Sequence, residues 1–363
     1  LKEALKPIAF YLPQFHAIPE NDAWWEKGFT EWTNVKKAKP RFKNHYQPHI
    51  PTELGYYDLR DDEVRIEQAE LAQEHGIYGF CYWHYWFGAG KRLLEQPARD
   101  FLESGKPDFP ICFAWANQTW SGVWHGAPDR VLISQKYLGK EDDEAHFREL
   151  LPYFKDSRYI QVEGKPLFLV YRPFDHPYLD DFIRQWNFLA KKAGLIGIYF
   201  VGISYQKENP FKNLNGLAFH DQFLKKGKFN FFEKVIKKLT KKYPNEILSQ
   251  WSKGCIVTSY QEMVERTHNE KMELGNFPTL HAGWDNTPRS GKRGVVHYDF
   301  SLDLFKIHLE KMISCINEDQ EPIFFIKSWN EWAEGNYLEP DDRFRRGKLE
   351  VIKSILESRI NKN

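Results

Sequence analysis

The sequence predicts an α/β protein built as a single (β/α)8 TIM barrel with elaborated loops. Eight short runs rich in β-branched and aromatic residues recur along it, each closed by polar or Gly/Pro punctuation. Helical segments with recognisable ends separate them. No break in composition divides the 363 residues, so one domain over 1–363 is expected in place of two.

The runs are residues 8–15, 79–85, 111–116, 167–171, 197–204, 216–220, 279–283 and 322–328. Most are apolar throughout, as strands covered on both faces are. The clearest helix is 61–75: Asp61, Asp62 and Glu63 oppose its dipole and Gly76 caps the far end. A second helix, 177–193, sets Leu179, Phe182, Ile183, Trp186, Ala190 and Ala193 on one stripe, with Gly194 beyond. In 301–316, Ser301 is the candidate N-cap, and Leu302, Phe305, Leu309, Met312, Ile313 and Ile316 face inward. A last helix is expected near 345–360. Two connections are long: 17–60, rich in Trp, Pro and His, and 223–278, which carries a Lys-rich piece. Loops of that length usually form the walls of a site.

Composition excludes several classes. With 51 Lys+Arg against 50 Asp+Glu the formal charge is +1, which gives no general attraction to nucleic acid or an anionic membrane. A hydrophobic fraction of 42% with 16% aromatics rules out disorder. The longest stretch free of Asp, Glu, Lys and Arg, 109–128, contains Pro110, Asn117, Gln118, Ser121 and His125, so no membrane span is predicted. No apolar stretch behind a basic head opens the sequence; the compartment stays open, cytoplasmic or exported with any signal peptide already absent. Cys81, Cys112, Cys255 and Cys315 form no CxxC pair and read as buried thiols. The lysines of 225–242 read as the wet face of an amphipathic helix whose stripe is Phe232, Val235, Ile236 and Leu239. Thirteen histidines show no H-x-H or HExxH spacing, and Gly88-Ala-Gly90 lacks the P-loop pattern; neither a metal nor another cofactor is predicted.

In a barrel, chemistry belongs at the C-terminal ends of the strands. Those ends hold Tyr11, Gln14, His16, Trp83, His84, Tyr85, Trp86, Trp115, Asn117, Gln118 and Trp120. Later ends add Tyr171, Arg172, Tyr205, His220, Asp221, Trp284, Asp285, Asn286, Trp329 and Asn330. Aromatic faces beside amides, imidazoles and carboxylates suit a sugar, whose C–H faces pack on rings while its hydroxyls need directional partners. The expected ligand is therefore a polysaccharide or oligosaccharide. Tyr11, His16, Trp83, His84, Trp115, Asn117, Tyr205, His220, Trp284 and Asn330 are the candidate substrate contacts; the alternative for each is core packing. Arg172, Arg289, Arg293 and Lys327 are candidate selectors of an acidic or sulfated glycan.

Directly after the eighth run, Glu331 and Glu334 stand three residues apart, so in a helical or turn-like backbone both project to one side. Glycoside hydrolysis needs such a pair, one group to protonate the leaving oxygen and one to supply or activate the nucleophile. The alternative is a solvated first helical turn with acidic residues against its dipole.

The stretch SWNEWAEG at 328–335 resembles the catalytic motif of glycoside hydrolase family 99, the endo-α-mannosidases and endo-α-mannanases. FYLPQFH at 10–16, WWEKGFTEWTNV at 24–35, LGYYDLRD at 54–61, GIYGFCYWHYWF at 76–87, KRLLEQP at 91–97 and FAWANQTW at 113–120 resemble the related WbsX-like branch. The resemblance covers nearly the whole chain. It implies a retaining (β/α)8 hydrolase in which Glu331 assists attack by the sugar's own 2-hydroxyl, forming a 1,2-anhydro sugar. Glu334 would protonate the departing oxygen and then activate water. The mannosidases carry His between the two acidic positions where this chain has Ala333, so the resemblance does not extend to mannose specificity.

The leading expectation is thus a glycoside hydrolase acting on α-linked glycans, with internal and terminal chain cleavage both left open by the sequence. A glycosyltransferase or transglycosylase of surface-polysaccharide assembly is the second reading, although no D-x-D motif near a strand end supports a nucleotide-sugar donor. A non-catalytic carbohydrate-binding barrel is the third.

Overall fold

The computed structural model describes residues 4–122, 127–204, 208–219, 254–267 and 270–360. Eight strands, β1 (Lys6–Tyr11), β2 (Gly79–Trp86), β3 (Ile111–Trp115), β4 (Lys165–Val170), β5 (Tyr199–Ser204), β6 (Gly216–Phe219), β7 (Phe277–His281) and β8 (Ile323–Lys327), follow one another around a sheet. Every neighbouring pair is parallel. β8 pairs back with β1, where Ile8 lies opposite both Phe325 and Gly79, so the sheet closes and the barrel has no free edge. Each strand coincides with one of the eight apolar runs. Because both faces are covered, β2, β3, β5, β7 and β8 are buried along their whole length.

Among the described residues the helices are α1 (Pro19–Trp24), α2 (Glu31–Lys37), α3 (Asp62–Glu74), α4 (Gln96–Ser104), α5 (Lys140–Phe154), α6 (Leu179–Lys192), α7 (Tyr260–Arg266), α8 (Thr287–Ser290), α9 (Leu302–Cys315) and α10 (Gly347–Ile360). Their expected ends form as local chemistry dictates. Asp61 accepts a hydrogen bond from the Glu63 amide at 3.0 Å, and Ser301 caps α9 from the Leu304 amide at 3.2 Å. α6 buries Leu179, Phe182, Ile183, Trp186 and Ala190, five of the six residues of the expected stripe.

The long first connection is structured. It carries α1 and α2, and Trp32 of α2 packs on Phe15, Tyr57 and Trp332 while its indole N–H donates to the Tyr57 carbonyl at 2.8 Å. The connection after β3 holds an antiparallel hairpin, Trp120–Gly122 with Ala127–Ile133, that the sequence reading did not anticipate. The Lys-rich piece at 225–242 lies outside the described residues. All four cysteines are buried free thiols. Among the described residues no helix is long and apolar enough to cross a membrane.

Candidate active site

The site is assembled on the segment that leaves β8. The Trp329 amide donates to the Phe10 carbonyl at 2.7 Å, and the Asn330 side chain grips Leu12 twice, accepting from its amide at 2.7 Å and donating to its carbonyl at 3.1 Å. Glu331 then pairs with Asn336 in a two-residue ladder enclosing one 3-10 turn, Trp332–Glu334. In such a turn residues three apart eclipse, so Glu331 and Glu334 both line one cavity. Gly335 ends the turn at φ +61°, and a Cβ there would stand 2.8 Å from the Asp285 amide nitrogen, which itself donates to the Glu334 carbonyl at 2.7 Å. Only glycine meets both demands.

That cavity, of about 530 Å³, lies at the C-terminal mouth of the barrel and falls within the size range of ligand sites. Trp83 and Tyr85 of β2, Tyr171 and Arg172 after β4, and Trp284, Asn286 and Arg289 after β7 form its walls. The first connection adds Trp25, Phe29 and Glu31, and the connection after β3 adds Gln118 and Trp120.

Arg289 is the electrostatic centre. One guanidinium nitrogen lies 2.8 Å from Glu334; the other lies 2.5 Å from Glu31 and 3.4 Å from Glu331. Lys327, at the end of β8, stands 3.8 Å from Glu334 and 5.0 Å from the Trp284 ring centre. Glu31 also accepts the Ala333 amide at 3.1 Å, tying the start of α2 to the turn between the paired glutamates. The Trp83 indole donates to Glu331 at 3.0 Å. Burial first, then the charge of Glu334, push the Glu331 carboxyl up to about 7 against the pull of Arg289 and Lys327. Burial likewise raises Glu31, with Arg289 opposing it.

A second polar layer supports the turn from beneath. Glu339 accepts from the Trp332 indole at 2.5 Å, the Gln68 amide at 2.6 Å and the Tyr57 hydroxyl at 2.9 Å, and burial raises its carboxyl to about 7. Tyr11 joins by donating to Gln68 at 2.7 Å.

Of the candidate substrate contacts, Trp83 and Trp284 line the cavity with Glu331 and Glu334. Tyr205 and His220 lie outside the described residues. Tyr11, His16, His84, Trp115, Asn117 and Asn330 are buried away from the cavity. Strand parity explains three of them. Phe10 and Trp83 stack on each other at 4.9 Å inside the barrel, whereas Tyr11 stacks on Tyr82 at 4.2 Å on the outer face. His84 turns outward to His146 of α5 at 2.8 Å, and Trp115 packs on His146 and Phe182 while donating to the Trp86 carbonyl. Asn117 clamps Arg172 through both its amide and its carbonyl, and Asn330 clamps Leu12 as described. His16 is enclosed, and burial lowers its imidazole below the ordinary value. Trp115→Ala is therefore expected to cost about 3–5 kcal/mol of stability, read as a lower urea midpoint, without weakening glycan binding by the folded fraction.

Two residues central to the geometry were not among the candidates for catalysis. Glu31 sits inside an aromatic-rich motif that holds two acidic residues, Glu26 and Glu31, and only the fold shows that Glu31 is the one fully buried. Arg289 was expected to meet an acidic glycan; its guanidinium instead faces Glu31, Glu331 and Glu334. Arg172 pairs with Asp175 at 3.2 Å, and Lys327 faces Glu334.

The closed parallel barrel, with carboxylates gathered at the mouth beyond its eighth strand, defines a TIM-barrel protein whose site stands where barrel enzymes carry theirs. The chain belongs to the family described as Glycosyltransferase WbsX, whose family model matches residues 7–352. It is 33% identical over 353 residues to an uncharacterised protein WxcX of Xanthomonas campestris pv. campestris, in each of two strains. That match takes in 96% of this chain but 49% of the relative, so the chain spans about half the length of the curated relatives it matches. Among solved structures it is similar to a glycoside hydrolase-like protein, with a TM-score of 0.57 at 12% identity, covering 97% of this chain and 94% of the other. It is also similar to the GH99 endo-alpha-mannosidase of Bacteroides thetaiotaomicron in complex with BIS-TRIS-propane, with a TM-score of 0.51 at 17% identity, covering 98% and 97%. At these identities the likeness is one of fold.

Proposed function

We propose that this chain is a retaining glycoside hydrolase that cleaves α-linked glycans with Glu331 and Glu334 as the reacting carboxyls. The observation that supports it best is the joint placement of these two groups, three residues apart on one turn, in an aromatic-walled cavity at the barrel mouth. Trp83, Trp284, Tyr171 and Trp120 offer rings for sugar faces, and Gln118 and Asn286 offer amides for hydroxyls. One carboxyl passes a proton to the departing oxygen while the other takes the proton of the sugar's 2-hydroxyl, whose oxygen displaces the leaving group. Backside attack by O2 requires it to lie trans to the leaving group, so the substrates are 1,2-trans glycosides.

The test is a panel of α-linked polysaccharides incubated with purified protein, reading released reducing ends and product lengths. New reducing ends are expected without any added donor, and the length distribution separates internal from terminal cleavage. A 2-deoxy analogue of a cleaved substrate is expected to be inert; its hydrolysis at an undiminished rate would remove 2-hydroxyl participation. The family's description favours a second reading, glycosyl transfer. Product formation only when a nucleotide sugar is supplied would establish it in place of hydrolysis.

A further inference from the structure

We propose that Asn21 of α1 is a specificity-determining residue of the mouth cavity, where its side-chain amide reads two adjacent free hydroxyls of an uncharged sugar unit. This role rests on the glycan reading of the cavity but not on the hydrolytic chemistry.

α1 is six residues long, and Asn21 is its only buried residue. Helices usually turn apolar side chains inward; this one turns an amide. The Trp25 amide donates to the Asn21 carbonyl at 2.9 Å, so the two residues stand one turn apart on one side of the helix, and both line the cavity. Trp24 packs on Trp120 of the hairpin after β3 at 6.1 Å, and Trp120 meets Tyr85 of β2 at 5.0 Å. Trp120 and Tyr85 line the same cavity as Glu331 and Glu334, so a row of rings runs from β2 to the wall that carries Asn21.

Asn21 is 1% exposed, and among the described residues neither the oxygen nor the nitrogen of its side chain meets a hydrogen-bond partner. Two other buried asparagines near the mouth differ. Asn117 spends both ends of its amide on Arg172 and Asn330 on Leu12, each on backbone groups. A buried amide without a partner is costly, and folded proteins pair nearly all of them. In the wall of a binding cavity, the partner is supplied by what the cavity binds.

The amide also selects that partner's chemistry. It presents an acceptor and a donor side by side. Two adjacent hydroxyls match it, one donating to Oδ1 while its neighbour accepts from Nδ2. A carboxylate or sulfate can only accept, which leaves Oδ1 facing lone pairs. The carbon face of the same ring can lie on Trp25 or Trp120. The expectation of an acidic glycan therefore does not extend to the unit at Asn21. Two of the arginines behind that expectation are turned to protein carboxylates, Arg172 to Asp175 and Arg289 to Glu31.

The test separates binding from cleavage. Glu331→Gln protein, with and without Asn21→Leu, is titrated with α-linked trisaccharides of glucose, galactose and mannose and with α-linked trigalacturonate. The Asn21 side-chain amide is followed in 15N NMR spectra, identified by its loss in Asn21→Leu. A neutral trisaccharide is expected to shift that amide and to bind Asn21→Leu about ten- to hundredfold more weakly, the worth of two hydrogen bonds. Replacing one of the paired hydroxyls by hydrogen should weaken binding to the protein with Asn21 and leave Asn21→Leu unaffected. Because no protein partner is lost, Asn21→Leu should melt no lower than its parent. A lower melting temperature, or failure to fold, makes the amide structural and overturns the proposal, as does a shift caused by trigalacturonate alone. Equal affinity of both proteins for a neutral trisaccharide overturns it too, while the cavity remains a glycan site. No binding of any trisaccharide by either protein removes the glycan reading together with it. Binding that depends on Asn21, with no cleavage by protein that retains Glu331, sinks the hydrolase reading alone and upholds the role of Asn21.

Discussion

Glu331→Gln and Glu334→Gln are each expected to lower the release of reducing ends by about 10²- to 10⁴-fold, the usual reach of a positioned acid or base. Glutamine keeps the shape of the side chain and its hydrogen bonds, so glycan affinity should survive; wild-type turnover in both variants would remove the site assignment. The first substitution has a second expected effect, on stability. Burial and Glu334 raise the Glu331 carboxyl from 4.5 to about 7 in the folded protein, so the folded state binds the proton more tightly than the unfolded chain does. The stability this group contributes is fully present below about pH 4.5 and is lost as pH rises through about 7. Glu331→Gln carries no such penalty. Its stability relative to wild type is expected to grow between pH 5 and pH 8, by up to about 3 kcal/mol, and thermal unfolding across that range checks it.

Arg289→Met should have the largest effect on stability of any single change at the mouth. Among the described residues it leaves Glu31, Glu331 and Glu334 buried with Lys327 as counter-charge. Removing one partner from a buried charge cluster costs about 3–5 kcal/mol, because the remaining charges keep their desolvation cost without the attraction that offset it. The loss is expected to be smaller at pH 5 than at pH 8, since the stranded carboxylates can take up protons on the acid side. Equal urea midpoints for wild type and variant at pH 8 would mean that the guanidinium is not a structural counter-ion. Turnover should fall as well, through misplacement of the pair.

Much of the barrel was legible because its signals are local. A strand buried on both faces is an apolar run, and a helix packed on it is an apolar stripe with a cap at each end, as in α6 and α9. The spacing of Glu331 and Glu334 was legible for the same reason, since one turn of backbone decides where residues three apart point. Strand parity was not. Half-exposed strands alternate polar and apolar residues and so reveal which side faces in, but β2 reads GFCYWHYW, and nothing in it says that Trp83 and Tyr85 face the cavity while His84 faces α5. On that account Tyr11 and Trp115 read as site residues from the sequence, and the structure turns both away from the cavity.

By itself the sequence determined the order of strands and helices, the caps that end them and the pair of carboxyls beyond the last strand, all products of forces acting within a few residues. Closure of the barrel decided the rest. It brings Glu31 of α2 against Arg289 of α8, 258 positions away along the chain, and sets both against the turn that carries Glu331 and Glu334. Charge interactions depend on distance through space and on exclusion of water, and neither quantity is written in the spacing of residues along a chain.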